Sequence, residues 1–151
     1  MRKLMSTLLR VETALALHLA WVLVFLVPLR ITRRLFGEVE APENGGDRIL
    51  AAVPERTMAR AADMARRLRH VAGRLPWHST CLVRAIAGQM LLARRGIAGG
   101  TIRFGVRKQD GKLEAHAWLL LDGVALIGGE EAEGYRPLAD LGRGAPASNG
   151  Q

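Results

Sequence analysis

Cys81 and His116 are the two residues of this chain whose types and placement can support covalent acyl chemistry. Such chemistry needs a nucleophile and a base within hydrogen-bond reach, with the base oriented by a third group. Cys81 is the only cysteine among 151 residues, so no intramolecular disulfide can form and nothing points to an oxidising compartment. The expectation is a cytoplasmic protein with a free thiol. Ser79 and Thr80 just upstream are both helix-capping residue types, which puts Cys81 in the first turn of a helix. Backbone N–H groups and the positive end of the helix dipole favour the nucleophilic thiolate there. Position alone does not establish reactivity, because a lone cysteine is more often a small buried core residue. His116 follows 116 − 81 = 35 residues later, directly before Ala117-Trp118. A histidine in a strand is more often structural, so this spacing needs further support.

The elements that must position the pair can be read from periodicity. Residues 4 to 36 read as helix, broken near Pro28, where proline removes a backbone donor. The polar, breaker-rich run from Glu38 to Asp47 is the predicted linker. From Met58, Ala61, Ala65, Leu68 and Ala72 recur three and four apart, with Arg60, Arg66, Arg67 and Arg74 on other faces, so a basic amphipathic helix is predicted. The cysteine helix should run to Arg94 and Arg95, with Gly96 ending it in a left-handed conformation. Alternating runs then flank Asp110-Gly111 and Asp122-Gly123, which predicts a meander of three antiparallel strands. The fold class is α+β. Its segments are an N-terminal helical stretch over 1–37, a core over 48–141 and a disordered tail over 142–151. Along the strand carrying His116, Glu114, His116, Trp118 and Leu120 share one face, and the expectation is that this face looks back toward the helix.

Four linked strings carry a resemblance. They are Leu75-Pro76-Trp77-His78-Ser79-Thr80-Cys81-Leu82-Val83-Arg84-Ala85, Leu91-Leu92-Ala93-Arg94-Arg95-Gly96-Ile97, Ile102-Arg103-Phe104-Gly105-Val106, and Ala115-His116-Ala117-Trp118 with Asp122-Gly123. In this order, over roughly residues 75 to 128, they resemble the stand-alone, transglutaminase-like leader peptidase of lasso-peptide biosynthesis. The resemblance implies a papain-like or transglutaminase-like core and a bacterial cysteine protease that removes the leader from a ribosomally made precursor. It implies Cys81 and His116 as the catalytic pair, acting either by proton transfer during attack or as a preformed thiolate–imidazolium pair. No metal, nucleotide or other cofactor is implied. The implied partners are the precursor leader peptide, a small leader-recognition protein and an ATP-dependent lasso cyclase.

The third catalytic group departs from the family pattern, in which Asp or Asn on the neighbouring strand fixes the tautomer of the histidine. Asp122 lies six residues along the same strand, about 20 Å away at the usual rise, and makes the turn instead. A two-residue loop at Asp122-Gly123 sets His116 opposite Gly129, with Glu131 diagonal and Glu130 in reach if Gly128-Gly129 bulges. Glu130 or Glu131 is then the candidate, and a backbone carbonyl or water is an equal alternative. For an oxyanion hole the Cys81 N–H is one donor. Ser79 reads as a cap, His78 as surface and Gln89 as too distant, while Trp118 and Trp77 can each pack in the core or line the cleft.

Charge and the N-terminus leave other readings open. Lys plus Arg minus Asp plus Glu is 22 − 14 = +8, nearly all from arginine, which suits carboxylates as well as phosphates. Charge alone does not choose a partner, and it is the resemblance that implies an acidic presenter or leader, and no nucleic acid, as what the basic surface docks. The uncharged run Thr13–Leu29 falls short of the roughly 20 apolar residues that a span needs and contains His18 and Pro28. A buried or membrane-surface helix is therefore expected ahead of an anchor. Two rival classes remain, a catalytically silent scaffold holding precursor and cyclase together, and a basic membrane-associated binding protein. Scattered His18, His70, His78 and His116 with one Cys do not compose a metal site.

Overall fold

Periodicity of three and four predicts the helices that the computed structural model contains among its described residues, 2–28, 38–41 and 52–142: α1 (Arg2–Phe25), α2 (Glu55–Ala72) and α3 (Cys81–Arg94). Five strands, β1 (Glu38–Glu40), β2 (Gly100–Gln109), β3 (Lys112–Leu121), β4 (Val124–Ile127) and β5 (Arg136–Gly142), form one antiparallel sheet in the order β1-β5-β2-β3-β4. The architecture is α+β, with three helices and then a four-stranded antiparallel sheet to which the short β1 adds an edge. The expected helix beyond Pro28, most of the predicted linker and the tail over 143–151 lie outside the described residues. Glu38–Glu40, expected as linker, is instead strand β1, and Gly142, expected to open the tail, ends β5.

Each helix buries the face its sequence prescribes. Ala61, Met64, Ala65, Leu68, Val71 and Ala72 of α2 are buried, as are Val83, Ile86, Leu91 and Leu92 of α3 and Thr13, Ala16, Leu17 and Ala20 of α1. Glu12 of α1 accepts from Arg94 Nε at 2.6 Å and from Arg95 at 2.8 Å, tying α1 to the end of α3. Burial pushes the Glu12 carboxyl up, and the two guanidinium partners outweigh it, so the carboxyl is held below its ordinary value. The opposite face of α1 is apolar as well. By length and composition, Lys3–Phe25 would suffice to cross a membrane.

Both Asp-Gly pairs make the predicted two-residue turns. Asp110 and Gly111 have φ of 51° and 77°, Asp122 and Gly123 of 50° and 73°, the doubly positive pattern of a type I′ hairpin loop. The Asp122 carboxylate also accepts from Val53 N–H at 3.2 Å, which fixes the chain entering α2. Strand β5 was not predicted. It contains Pro137, buries only Leu141 and pairs with β2 through a register shift at Phe104/Gly105, where Pro137 faces Gly105. Proline is tolerated at such an irregularity because no ladder donor is required there.

The sheet face toward the helices differs from the one expected. A Cβ on Gly88 of α3 would come within 2.5 Å of Ile127 Cδ1 and 2.7 Å of Leu119 Cδ2, so Ala117, Leu119 and Leu121 form the face packed on α3. His116 and Trp118 lie on the other face, shared with Arg103 and its partner Asp140. The alternation was read correctly and its direction was not, because Ala and Leu fit against a helix more closely than His and Trp.

Candidate active site

Cys81 is the first residue of α3. Thr80 supplies the N-cap, its Oγ1 accepting from Val83 N–H at 3.3 Å. Ser79, the other expected cap, is buried and accepts from Arg84 Nε at 2.9 Å, which anchors that guanidinium beside the helix start. First-turn N–H groups have no carbonyl four residues back, so the Cys81 end of α3 presents donors outward. The Cys81 side chain is half-buried and lines a cleft of about 350 Å³, together with Arg69, Arg84, Gly128, Glu130 and Glu131. Arg69 closes one wall by donating to the Leu126 carbonyl at 3.0 Å. The cleft therefore has guanidinium groups from the helices on one side and carboxylates from the 128–131 segment on the other.

That segment exists because β4 ends early. Leu121 pairs with Val124 and Leu120 with Ala125, but Leu119 pairs with Ile127, so one extra residue, Leu126, bulges out of the ladder. A bulge at Gly128-Gly129 was the condition for bringing Glu130 into reach; the observed bulge lies earlier, and the chain then turns at Gly128 with φ of +76°. This turn brings the Gly128 carbonyl 2.8 Å from His116 Nε2. A carbonyl oxygen only accepts, so Nε2 carries a proton, and in the neutral ring Nδ1 is the basic nitrogen. A side chain at Gly128 would crowd this contact, because its Cβ would stand 3.1 Å from the Ala117 carbonyl and 3.3 Å from Nε2.

His116 is buried between two aromatic rings. Trp118 stacks on it at 5.7 Å with an interplanar angle of 20°, and Tyr135 leans on it at 5.2 Å. Gly105, opposite His116 on β2, leaves the space in which Trp118 lies: a Cβ there would come within 2.7 Å of the indole. The Tyr135 hydroxyl donates to Glu114 at 3.3 Å, and the Arg107 guanidinium sits over its ring at 4.5 Å. Desolvation first, then the Glu114 and Cys81 charges, push the Tyr135 hydroxyl pKa up against the pull of Arg107.

The expected residues are distributed as follows. Cys81 and His116 both meet the Gly128–Glu131 segment, Cys81 across the cleft and His116 through the Gly128 carbonyl. Glu130, favoured with Glu131 as the third group, lines the cleft and is exposed. Glu131 is the carboxylate beside His116, at 3.9 Å from Nε2 and 64% exposed. Gln89 donates to the Gly100 carbonyl at 2.7 Å and His78 is exposed. Trp77 turns to α1, where its Nε1 donates to His18 Nε2 at 3.3 Å. Sequence reasoning missed Tyr135, which sits in a Gly- and Glu-rich stretch with no pattern to mark it, and it offered a backbone carbonyl beside His116 without assigning it to Gly128. Among the described residues no three of His, Cys, Asp and Glu come together as metal ligands.

The family model described as the transglutaminase-like superfamily matches residues 23–140, more than half of the chain. No curated protein and no solved structure matches it.

Proposed function

Since the chain belongs to the transglutaminase-like superfamily, we propose that it is a cysteine peptidase that removes the leader from a lasso-peptide precursor. The observation that carries the reading is the placement of Cys81 at the capped start of α3, across a cleft from the segment whose Gly128 carbonyl holds His116 Nε2. In that orientation Nδ1 is the nitrogen left to take the thiol proton. Cys81 Sγ attacks the scissile carbonyl and His116 then gives its proton to the departing amine of the core peptide. Water, deprotonated by His116, attacks the acyl-enzyme and releases the leader as a carboxylic acid, restoring the thiol. The Cys81 N–H is one donor to the tetrahedral oxyanion.

The substrate class rests on the four sequence strings around Cys81 and His116. A separate recognition protein that presents the leader, and a cyclase that consumes the freed amine, belong to the same proposal. The +8 charge and the Arg69 and Arg84 side of the cleft suit an acidic presenter or leader.

The test is incubation of the precursor with the wild-type chain, Cys81→Ala and His116→Ala, each with and without the recognition protein, read by mass spectrometry. Cleavage at one bond that both substitutions abolish is the expected result. Cleavage that survives Cys81→Ala removes Cys81 as the nucleophile and with it the cysteine-peptidase reading, and no cleavage by the wild-type chain even with the recognition protein leaves a silent scaffold.

A further inference from the structure

We infer that the outward face of α1 lies flat on an anionic membrane surface. Leu4, Leu8, Val11, Leu15, Leu19, Val22 and Leu26 are all exposed, and Leu4, Leu8, Leu15 and Leu26 are 57–67% so. Their spacing repeats from Leu4 to Leu15 and from Leu15 to Leu26, an 11-residue period that keeps a stripe nearly straight along a helix. At about 1.5 Å per residue the stripe is about 33 Å long, and an apolar strip of that size on a soluble surface marks an interaction site.

Charge selects the occupant. Lys3 and Arg10, seven residues apart, share one flank of the stripe and are exposed. Arg94 of α3, with its side chain 73% exposed, stands on the rim of an apolar groove of about 880 Å³ between α1 and α3, into which Leu8, Leu15, Leu19 and Met90 project. The single carboxylate of α1, Glu12, is already held by Arg94 and Arg95. A second copy would bring these cations against one another, whereas lipid phosphates meet them with opposite charge. The groove accepts acyl chains, with the Arg94 guanidinium at headgroup level. Trp21 and Phe25, in contact at 5.3 Å near the C-terminal end of α1, add side chains suited to the membrane–water boundary.

The helix lies on the membrane and does not cross it. Thr13, Leu17 and Ala20 on the inner face are at most 1% exposed, and crossing would strip that face from α3 and carry Glu12 away from its arginines.

The experiment is co-sedimentation of the full chain with vesicles of phosphatidylcholine alone or mixed with phosphatidylglycerol. The wild-type chain pellets with the anionic vesicles. Leu8→Glu/Leu15→Glu stays in the supernatant with unchanged circular dichroism and melting, since both side chains already face water. Lys3→Gln/Arg10→Gln weakens binding about thirtyfold, equivalent to about 1 kcal/mol for each basic side chain at an anionic surface. Failure of the wild-type chain to pellet overturns the inference, as does equal binding to neutral vesicles. So does a vesicle-free dimer that Leu8→Glu/Leu15→Glu converts to monomer, which would assign the stripe to a second copy. None of these outcomes bears on the peptidase reading, which is tested on a soluble precursor.

Discussion

Replacing Gly128 with alanine in one variant and Glu131 with glutamine in another separates the two groups that can orient His116. The Gly128 carbonyl is 2.8 Å from Nε2, within hydrogen-bond range, and the Glu131 carboxylate is 3.9 Å away, outside it. Alanine at φ +76° costs roughly 1–2 kcal/mol in backbone strain, and its Cβ would press on the Ala117 carbonyl and on His116 itself. The segment relieves both by moving the carbonyl off the imidazole. A hydrogen bond to an imidazolium contributes roughly 1.5–3 kcal/mol, so Gly128→Ala lowers kcat about ten- to a hundredfold. Glu131 is 64% exposed, and an exposed ion pair contributes about 1 kcal/mol or less, so Glu131→Gln changes kcat less than about fivefold. The assay is precursor cleavage by mass spectrometry, accompanied by the alkylation rate of Cys81, which is unambiguous because the chain has one cysteine. A larger loss from Glu131→Gln than from Gly128→Ala would refute the assignment and make the carboxylate the third group.

Three further outcomes follow from contacts around the site and core. Tyr135→Phe keeps the ring against His116 and retains cleavage within about threefold, while Tyr135→Ala opens one side of the imidazole to water and lowers kcat at least tenfold, as expected when a ring 5.2 Å away shields the base. Gly105→Ala forces a methyl group into the Trp118 indole and destabilises the fold by roughly 1–3 kcal/mol, the usual cost of overpacking, measured by urea denaturation. Because the Glu12 carboxyl is held below its ordinary value of 4.5, its pairing stabilises the fold above that pH. The contribution is lost as the pH falls through the lowered folded value, and Glu12→Gln flattens that part of the stability–pH curve measured by denaturant titration.

How far the site could be read before the structure depended on what kind of atom does the work. Side chains with a strong local signal were legible: Asp110-Gly111 and Asp122-Gly123 predicted their turns, Thr80 and Gly96 bounded the cysteine helix, and the alternation around His116 gave β3. Strand β5 was not legible because only Leu141 of its residues is buried and Pro137 argues against a strand, so pairing with β2 on one side and β1 on the other makes it one. The same limit applies to the direction of the His116 face. Period-two alternation divides residues into two sets, and packing against Gly88 decides which set turns to the helix.

The third group shows the limit most sharply. Strand register offers Glu130, Glu131 or a backbone carbonyl as the group beside His116, and only the carboxylates can be given residue numbers, because side-chain type is what a sequence displays. A backbone carbonyl belongs to every residue and has no letter of its own. What a sequence can record is the permissive condition, a glycine where the chain takes positive φ and where an added Cβ would stand 3.3 Å from an imidazole nitrogen. Read this way, Gly128-Gly129 after a strand beside a candidate histidine becomes an orienting element in its own right. The bulge at Leu126 then has a consequence for the site, since it shifts the register by the one residue that delivers a carbonyl, and no side chain, to Nε2.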